Sequence, residues 1–412
     1  MLLLLVRLLG GHQLMEGGKE HAVCPDCLVA RLPEPLVSAG ARDCKATHVD
    51  AVAAGIQDVA TRPGATTRAG AAPGTVPAID RAARRLHLPP PRDCADLESM
   101  IAVKIHAAPD QVVVGHGSTE VMDWLFRMQS RSGGTVVATE PTFELYRTLA
   151  DWHELDYVSV PWDPRSFNHD LPALIRAIDD RTAVCVLDLP HSVSGAPARL
   201  TDVLDHLAPR LPEGARLLVD LVYADFMASP PTLSAELLDG HPNVLLCGSL
   251  SKAHCLLGAR VGYGVTAAPL AAQLRHQRLP YAIDVLALAA AEAALTNTDH
   301  LRCTVEANRA ARVRLTTVLD EHGIAYVPSD ANFMLINLGT LHAPVVAKLQ
   351  DRGARFRDGR RWHLPGWIQT HLIDASIVEP LIEAIQLVDP GRLTAPRHTP
   401  TADTFTKGHP TP

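Results

Sequence analysis

From about residue 94 onward, short runs of apolar residues alternate with longer segments in which apolar side chains recur every three or four positions. The short runs, at 112–114, 136–138, 183–187, 217–219, 244–247 and 261–265, are nearly continuous in Val, Leu, Ala, Cys and Gly rather than alternating apolar with polar. A strand of that kind must be covered on both faces, because a solvated face would show a polar residue at every second position. Strands buried on both sides and separated by helical segments form the βαβ pattern of a mostly parallel sheet between two layers of helices. The expected fold is therefore α/β: a three-layer α/β/α large domain over 95–295, with ligands bound in the crevice at the carboxyl edge of its strands.

The rest of the chain is organised around that body. An Ala/Leu helix at 285–295 and a helical segment with basic residues at 301–323 are followed, from 325 to 388, by renewed strand and helix units, which predicts a smaller α+β domain over 300–388. Residues 61–78 are rich in Gly, Pro and Ala without a sustained apolar period and read as an extended arm, with 71–94 leading into the large domain. Residues 1–70 read as an irregular extension, and the Pro- and Thr-rich 389–412 as a disordered tail.

Composition excludes several functions. Over 412 residues, 38 Lys+Arg stand against 45 Asp+Glu with no basic stripe, and aromatics make up 4%, so neither a nucleic-acid surface nor a stacking platform is expected. No run of 18 apolar residues is present to span a membrane. The opening Met-Leu-Leu-Leu-Leu-Val-Arg-Leu-Leu-Gly-Gly resembles the apolar core of a signal peptide, but it lacks a basic stretch before it and Arg7 interrupts it. Eight cysteines are too sparse for a disulfide scaffold, so a cytoplasmic location is expected. Cys24-x2-Cys27 with Cys44-x3-His48 has the ligand types and spacings of a structural zinc site, yet it lies outside the patterned region, and no metal is expected.

Three segments carry chemistry. Gly248-Ser249-Leu250-Ser251-Lys252 follows a strand, and Arg260 comes eight residues later. A lysine at that place projects into the cleft at the sheet edge and, once uncharged, can form a Schiff base with an aldehyde cofactor. Ser249, Ser251 and Arg260 supply two short hydroxyl donors and a planar fork, the groups a phosphate monoester needs. Upstream, Gly115-His116-Gly117-Ser118-Thr119-Glu120 joins a strand to a helix; Gly117 allows a tight turn, Ser118 suits an N-cap, and exposed amides at a helix start attract phosphate. Finally, Arg216-Leu217-Leu218-Val219-Asp220 is a buried strand ending in an acid, with Tyr223 three residues on. A carboxylate there can hold a pyridine nitrogen protonated, which makes the ring an electron sink.

In this order the segments resemble the fold-type I pyridoxal-phosphate enzymes of the class I/II aminotransferase family, closest to the branch containing histidinol-phosphate aminotransferase and threonine-phosphate decarboxylase. The likeness covers about residues 70–388 and includes Pro73-Gly74-Thr75-Val76-Pro77, Glu140-Pro141-Thr142-Phe143-Glu144-Leu145-Tyr146, the turn at 190–195, Arg278-Leu279-Pro280-Tyr281 and Ala331-Asn332-Phe333. The resemblance implies that Lys252 forms the Schiff base, Asp220 pairs with the pyridine nitrogen, Tyr223 hydrogen-bonds the ring's phenolic oxygen and Phe143 stacks on the ring. It assigns Gly117, Ser118, Thr119, Ser249, Ser251 and Arg260 to the cofactor phosphate, and Asn332 to the substrate. It also implies a homodimer.

Two departures bear on the substrate side. Ser192 stands where most relatives carry an asparagine that donates to the phenolic oxygen, with His191 beside it as a possible substitute. Gln369 stands where the family pattern places an arginine that forks onto the substrate carboxylate; losing that charge costs a few kcal/mol, and Arg357, Arg360 and Arg361 are the nearby cations able to restore it. In the arm, Leu88 takes the place of a tyrosine that reaches the neighbouring subunit's phosphate in relatives. The function expected is a pyridoxal-phosphate-dependent aminotransferase acting on an amino acid or amine. The alternatives are another reaction on the same cofactor (decarboxylation, elimination with cyclisation, or oxidation) and a non-catalytic homologue.

Overall fold

The computed structural model describes residues 70–389. The Cys24, Cys27, Cys44 and His48 constellation, the extension up to residue 69 and the tail from residue 390 lie outside the described residues. Seven strands form the main sheet: β1 (Val112–Gly115), β2 (Thr135–Glu140), β3 (Asp156–Pro161), β4 (Thr182–Asp188), β5 (Arg216–Asp220), β6 (Val244–Ser249) and β7 (Gly262–Val265), in the order β1-β7-β6-β5-β4-β2-β3. β3, β2, β4, β5 and β6 run parallel, and β7 is antiparallel to both β6 and β1. The carboxyl ends of β1, β4, β5 and β6 therefore share one edge.

Each apolar run noted in the sequence lies within one of these strands or ends in one, and successive residues face opposite layers. Val184 and Val186 of β4, with Val136 and Ala138 of β2, pack against α3 (Ser118–Gln129), α4 (Leu145–Trp152) and α8 (Ala268–Arg275). Cys185 and Leu187 face the other way, with Leu217 and Val219 of β5, onto α5 (Leu171–Ala177), α6 (Leu200–His206) and α7 (Ala235–Asp239). Burying each large aliphatic side chain contributes about 1.5–3 kcal/mol, which holds the helices on both faces. β3 was not legible in the sequence: it is the edge strand, four of its six residues are exposed, and Asp156 and Ser159 break its apolar run.

The arm is helical rather than extended from residue 75. α1 (Thr75–Ala83) starts after Gly74 at φ 92, carries Pro77 in its first turn, where a missing N–H costs nothing, and buries Thr75 and Ala78. It is followed by α2 (Ala95–Ile105) and, later in the chain, by α9 (Val285–Leu295), which buries Ala287, Ala290, Ala291 and Ala294; small residues on that face let other elements approach closely. A second, antiparallel sheet has the order β10-β11-β9-β8, from β8 (Ala325–Tyr326), β9 (Phe333–Asn337), β10 (Phe356–Asp358) and β11 (Trp367–His371). Its Met334, Ile336 and Ile368 form a core with α10 (Thr298–Glu321), α11 (His342–Asp351) and α12 (Ala375–Val388). The opposite face presents Leu335 and Trp367 to Phe167, Val193 and Ala196, an apolar joint next to the strand ends of the main sheet.

Candidate active site

A cavity of about 400 Å³ opens at the shared carboxyl edge of the main sheet. Its first wall gathers Ser118, Thr119, Ser249, Ser251 and Arg260. Ser118 is not the N-cap expected from the sequence: Gly117 caps α3 with φ 82, and Ser118 is the first helical residue. A methyl group on Gly117 would lie 2.5 Å from Arg260 Nη2, and one on Gly262 would lie 2.0 Å from the Ser118 amide. The two glycines thus let a helix start, a strand and a guanidinium converge. Arg260 Nη1 donates to Ser251 Oγ at 3.4 Å and to the Leu257 carbonyl at 3.3 Å, while the Ser251 amide donates to Ser249 Oγ at 3.1 Å. Free amides at a helix start, hydroxyls and a guanidinium aimed at one spot make a dianion cradle. Gly117→Ala should weaken binding of a phosphate-bearing ligand in this cradle by about tenfold, since the added carbon both pushes on Arg260 and strains a left-handed backbone; titration of the ligand-free variant with pyridoxal phosphate checks it.

The floor is built by acids at the ends of two neighbouring strands. Asp220 is buried; its Oδ1 accepts from the Val222 amide at 3.0 Å and its Oδ2 from the Tyr146 hydroxyl at 3.0 Å. Burial, and next the charge of Asp188, push its carboxyl up to about 7, against the pull of those two donors and of Lys252. Such a group binds a proton, or a protonated ring nitrogen, readily. Tyr146 is fully buried, and burial with the adjacent Asp220 keeps its phenol well above its ordinary range, so it stays a donor. Phe143 covers the opening at 46% exposure and meets the Tyr146 ring edge-to-face at 5.7 Å. An apolar lid above and a carboxylate below leave a slot suited to a flat, nitrogen-containing ring.

Lys252 follows the end of β6 by three residues and lines the same cavity, with its Nζ 5.2 Å from the Tyr223 ring centroid. Tyr223 is braced by Phe333 at 5.1 Å, edge to face. Ser192 also lines the cavity. His191 does not take the place of the missing asparagine: it is buried behind the wall, its Nδ1 accepts from the amides of Val193 and Ser194 at 3.3 Å each, and its ring packs on Trp162. Burial holds its imidazole down at about 3, so it is neutral and shapes the turn.

The rim answers the question posed by Gln369. Gln369 is buried and absent from the cavity wall; Arg357, its partner across the β10–β11 ladder, lines the cavity instead. Gln369 Nε2 donates to the Val193 carbonyl at 2.6 Å, and its Oε1 accepts from Arg357 Nη1 at 3.2 Å, so the amide orients the guanidinium. Arg361 also reaches the rim but is paired with Glu144 at 2.7 Å, and Arg360 is paired with Asp358 at 2.7 Å, outside the wall. Asn332 is buried, its backbone carbonyl accepting from the Leu372 amide, and it does not line the cavity. Sequence reasoning left Tyr146, Thr142 and Asp188 without roles. Asp188 carried a signal: an acid ending an apolar run, as Asp220 does.

The family model for aminotransferases of class I and II matches residues 67–385. This chain belongs to the class I and II aminotransferases. It is 31% identical over 320 residues to the histidinol-phosphate aminotransferase of Akkermansia muciniphila, covering 77% of this chain and 87% of that protein. To histidinol-phosphate aminotransferase 2 of Methylococcus capsulatus it is 30% identical over 324 residues, again covering 77% and 87%. Among solved structures, histidinol-phosphate aminotransferase from Sinorhizobium meliloti in complex with pyridoxal-5'-phosphate shares the fold with a TM-score of 0.70 at 23% identity, over 84% of this chain and 98% of that one. The aminotransferase is thus a pyridoxal-phosphate-dependent transferase of fold type I, as the motifs implied. Among the described residues of this aminotransferase, no helix is long and apolar enough to cross a membrane.

Proposed function

We propose that this aminotransferase moves the amino group of an amine that also carries an anionic group, with Arg357 as the anchor for that anion. The observation that carries the reading is the placement of Arg357: it lines the cavity, is oriented by Gln369, and among the described residues pairs with no carboxylate. A guanidinium left with unused donors suits a carboxylate or a phosphate monoester. The relatives named histidinol-phosphate aminotransferases favour a phosphorylated amino alcohol or a closely related amino acid.

The cavity fits pyridoxal phosphate: dianion cradle at one end, buried acid at the other, lysine between. When bound, that cofactor supplies an aldehyde electrophile and a ring that stores the electrons of a substrate carbanion. Gly117, Ser118, Thr119, Ser249, Ser251 and Arg260 would hold its phosphate; Asp220, supported by Tyr146, would keep its ring nitrogen protonated; Phe143 would cover the ring, and Tyr223 and Ser192 would serve its phenolic oxygen. Lys252 would be the amine that holds the aldehyde, and the base that would take the proton from the substrate α-carbon and return it. Asn332 and Gln369 act from behind the wall rather than on the substrate. The main sheet with its helices (95–295) forms the cofactor domain, and 300–388 the smaller domain that brings Arg357. Val76, Leu86 and Leu279 are each more than 60% exposed, and the Tyr281 amide bonds to the Arg92 carbonyl beside the arm, which supports a homodimer closed over this region. A cytoplasmic location agrees with the sparse cysteines.

Arg357→Ala should raise KM for histidinol phosphate or glutamate by about 10–100-fold with a smaller change in kcat, the loss of one charge-assisted pair. Exchanging the cross-strand pair, Arg357→Gln with Gln369→Arg, should recover much of it. A KM unchanged in Arg357→Ala would remove the anchor. The reaction itself is checked by mixing the protein with each amine: accumulation of the pyridoxamine form supports transamination, whereas release of carbon dioxide or ammonia without it refutes transamination.

A further inference from the structure

We propose that Asp188 is a positioning residue of this aminotransferase: a second buried carboxylate which, beside Asp220, keeps the cofactor's ring nitrogen protonated. Asp188 and Asp220 end neighbouring parallel strands and are direct partners in the β4–β5 register. Both are buried and both line the cavity. A leucine or valine, like the residues before it in β4, would satisfy this position without desolvating a charge; instead the charge is retained and provided with donors. Thr142 Oγ1 donates to Asp188 Oδ2 at 2.9 Å. His169 Nε2 lies 2.8 Å from the Asp188 carbonyl and 3.1 Å from its Oδ1, while Nδ1 lies 2.8 Å from Thr139 Oγ1. Two acceptor oxygens against Nε2 require that nitrogen to carry the proton, so His169 is a donor fixed in orientation.

His169, Asp188 and His191 bring three ligand-type atoms within 4.8 Å of one another. Yet His169 Nε2 is turned onto the Asp188 carbonyl and His191 Nδ1 accepts two amides, so one nitrogen of each imidazole is already engaged by backbone, while Asp188 Oδ1 and His191 Nε2 make no hydrogen bond among the described residues. The ionisable groups facing the two acids are His169, His191 and Tyr157 around Asp188, Tyr146 between them, and Lys252 and Cys247 on the Asp220 side. Burial works against the Asp188 charge, but His191 once its imidazole is protonated, and at every pH the N–H of His169 beside it, hold the carboxyl below its ordinary value. Asp188 is therefore an anion throughout the working range, and after burial it is the strongest influence raising Asp220. A fixed anion beside the Asp220 and ring-nitrogen pair favours keeping their shared proton, and with it the ring's capacity to accept electrons.

The inference rests on the assignment of Asp220 to the ring nitrogen, and the experiment separates the two. Holoenzyme loaded with ring-15N pyridoxal phosphate is titrated with base, and the nitrogen chemical shift reports the ring proton. Asp188→Asn, and Asp188→Leu to match the neighbouring apolar positions, should each release that proton at least about one pH unit lower than the native enzyme. Visible absorbance confirms that each variant holds cofactor. If the variants that load keep the native midpoint while Asp220→Asn loses the ring proton, Asp188 is only a structural residue and the proposal falls. If Asp220→Asn also leaves the nitrogen signal unchanged, the assignment of Asp220 falls and takes this proposal with it.

Discussion

Lys252→Ala should lower turnover by at least about 10⁴-fold, the upper end of what a positioned acid–base group contributes, because the residue serves twice. On the proposed assignment it would be both the amine that holds the aldehyde and the base that takes the substrate's α-proton. Among the described residues no other amine lines the cavity: Arg260, Arg357 and Arg361 are guanidiniums that do not lose a proton. Borohydride reduction followed by peptide mapping should tag Lys252 in the native protein and leave the variant untagged. Added small amines should recover part of the proton transfer. A tag elsewhere, or a variant with native turnover, would mean that another residue carries the chemistry.

Asp220→Asn should divide function from stability. Activity should fall by about 10²–10³-fold, the loss expected when a preorganised electrostatic partner is removed. The cofactor-free variant should nevertheless be more stable than the cofactor-free native protein at pH 8. The Asp220 carboxyl sits near 7 in the folded chain against about 3.9 in an unfolded one. A raised acid contributes stability that is fully present below the unfolded value and is lost as pH rises through the folded value. By pH 8 the native protein has given up about 4 kcal/mol that an asparagine never forfeits. The gap should close as pH falls toward 4.

His191 and His371 act in the opposite direction. Burial holds them near 3 and 4, with Arg357 and Lys252 adding to the effect at His371, so their contribution is complete above about 6.5 and declines as pH falls below it. Thermal unfolding of the cofactor-free proteins from pH 5 to 8 checks both signs. An Asp220→Asn melting curve tracking the native one at every pH would show that the carboxyl is not raised.

The sheet was legible because burial on both faces writes itself into composition. Strands at 183–187 and 217–219 have no polar phase, and only a doubly covered sheet tolerates that. The edge strand β3 left no such trace, since half of its surroundings are solvent. The first turn of the arm was misread for a related reason: Pro and Gly mark helix starts as well as loops, and burial of Thr75 and Ala78 decides which. Lys252, Asp220 and the Ser249, Ser251 and Arg260 group were legible because each sits at a fixed place just after a strand, and the sheet edge brings such places together whatever the loops do.

Order along the chain, residue type and strand-end position were thus enough to reach an α/β body with a lysine, an acid and a phosphate cradle at one edge. Which guanidinium lines the cavity beside Gln369 was not. Gln369 stands at the expected place, but a cross-strand register turns it into a brace and gives the cavity to Arg357, twelve residues earlier. The pairing of Asp188 with Asp220 likewise exists only through the register of two strands more than thirty residues apart. Both are consequences of side-chain direction and strand alignment, which depend on how the whole sheet packs, and no local pattern encodes them.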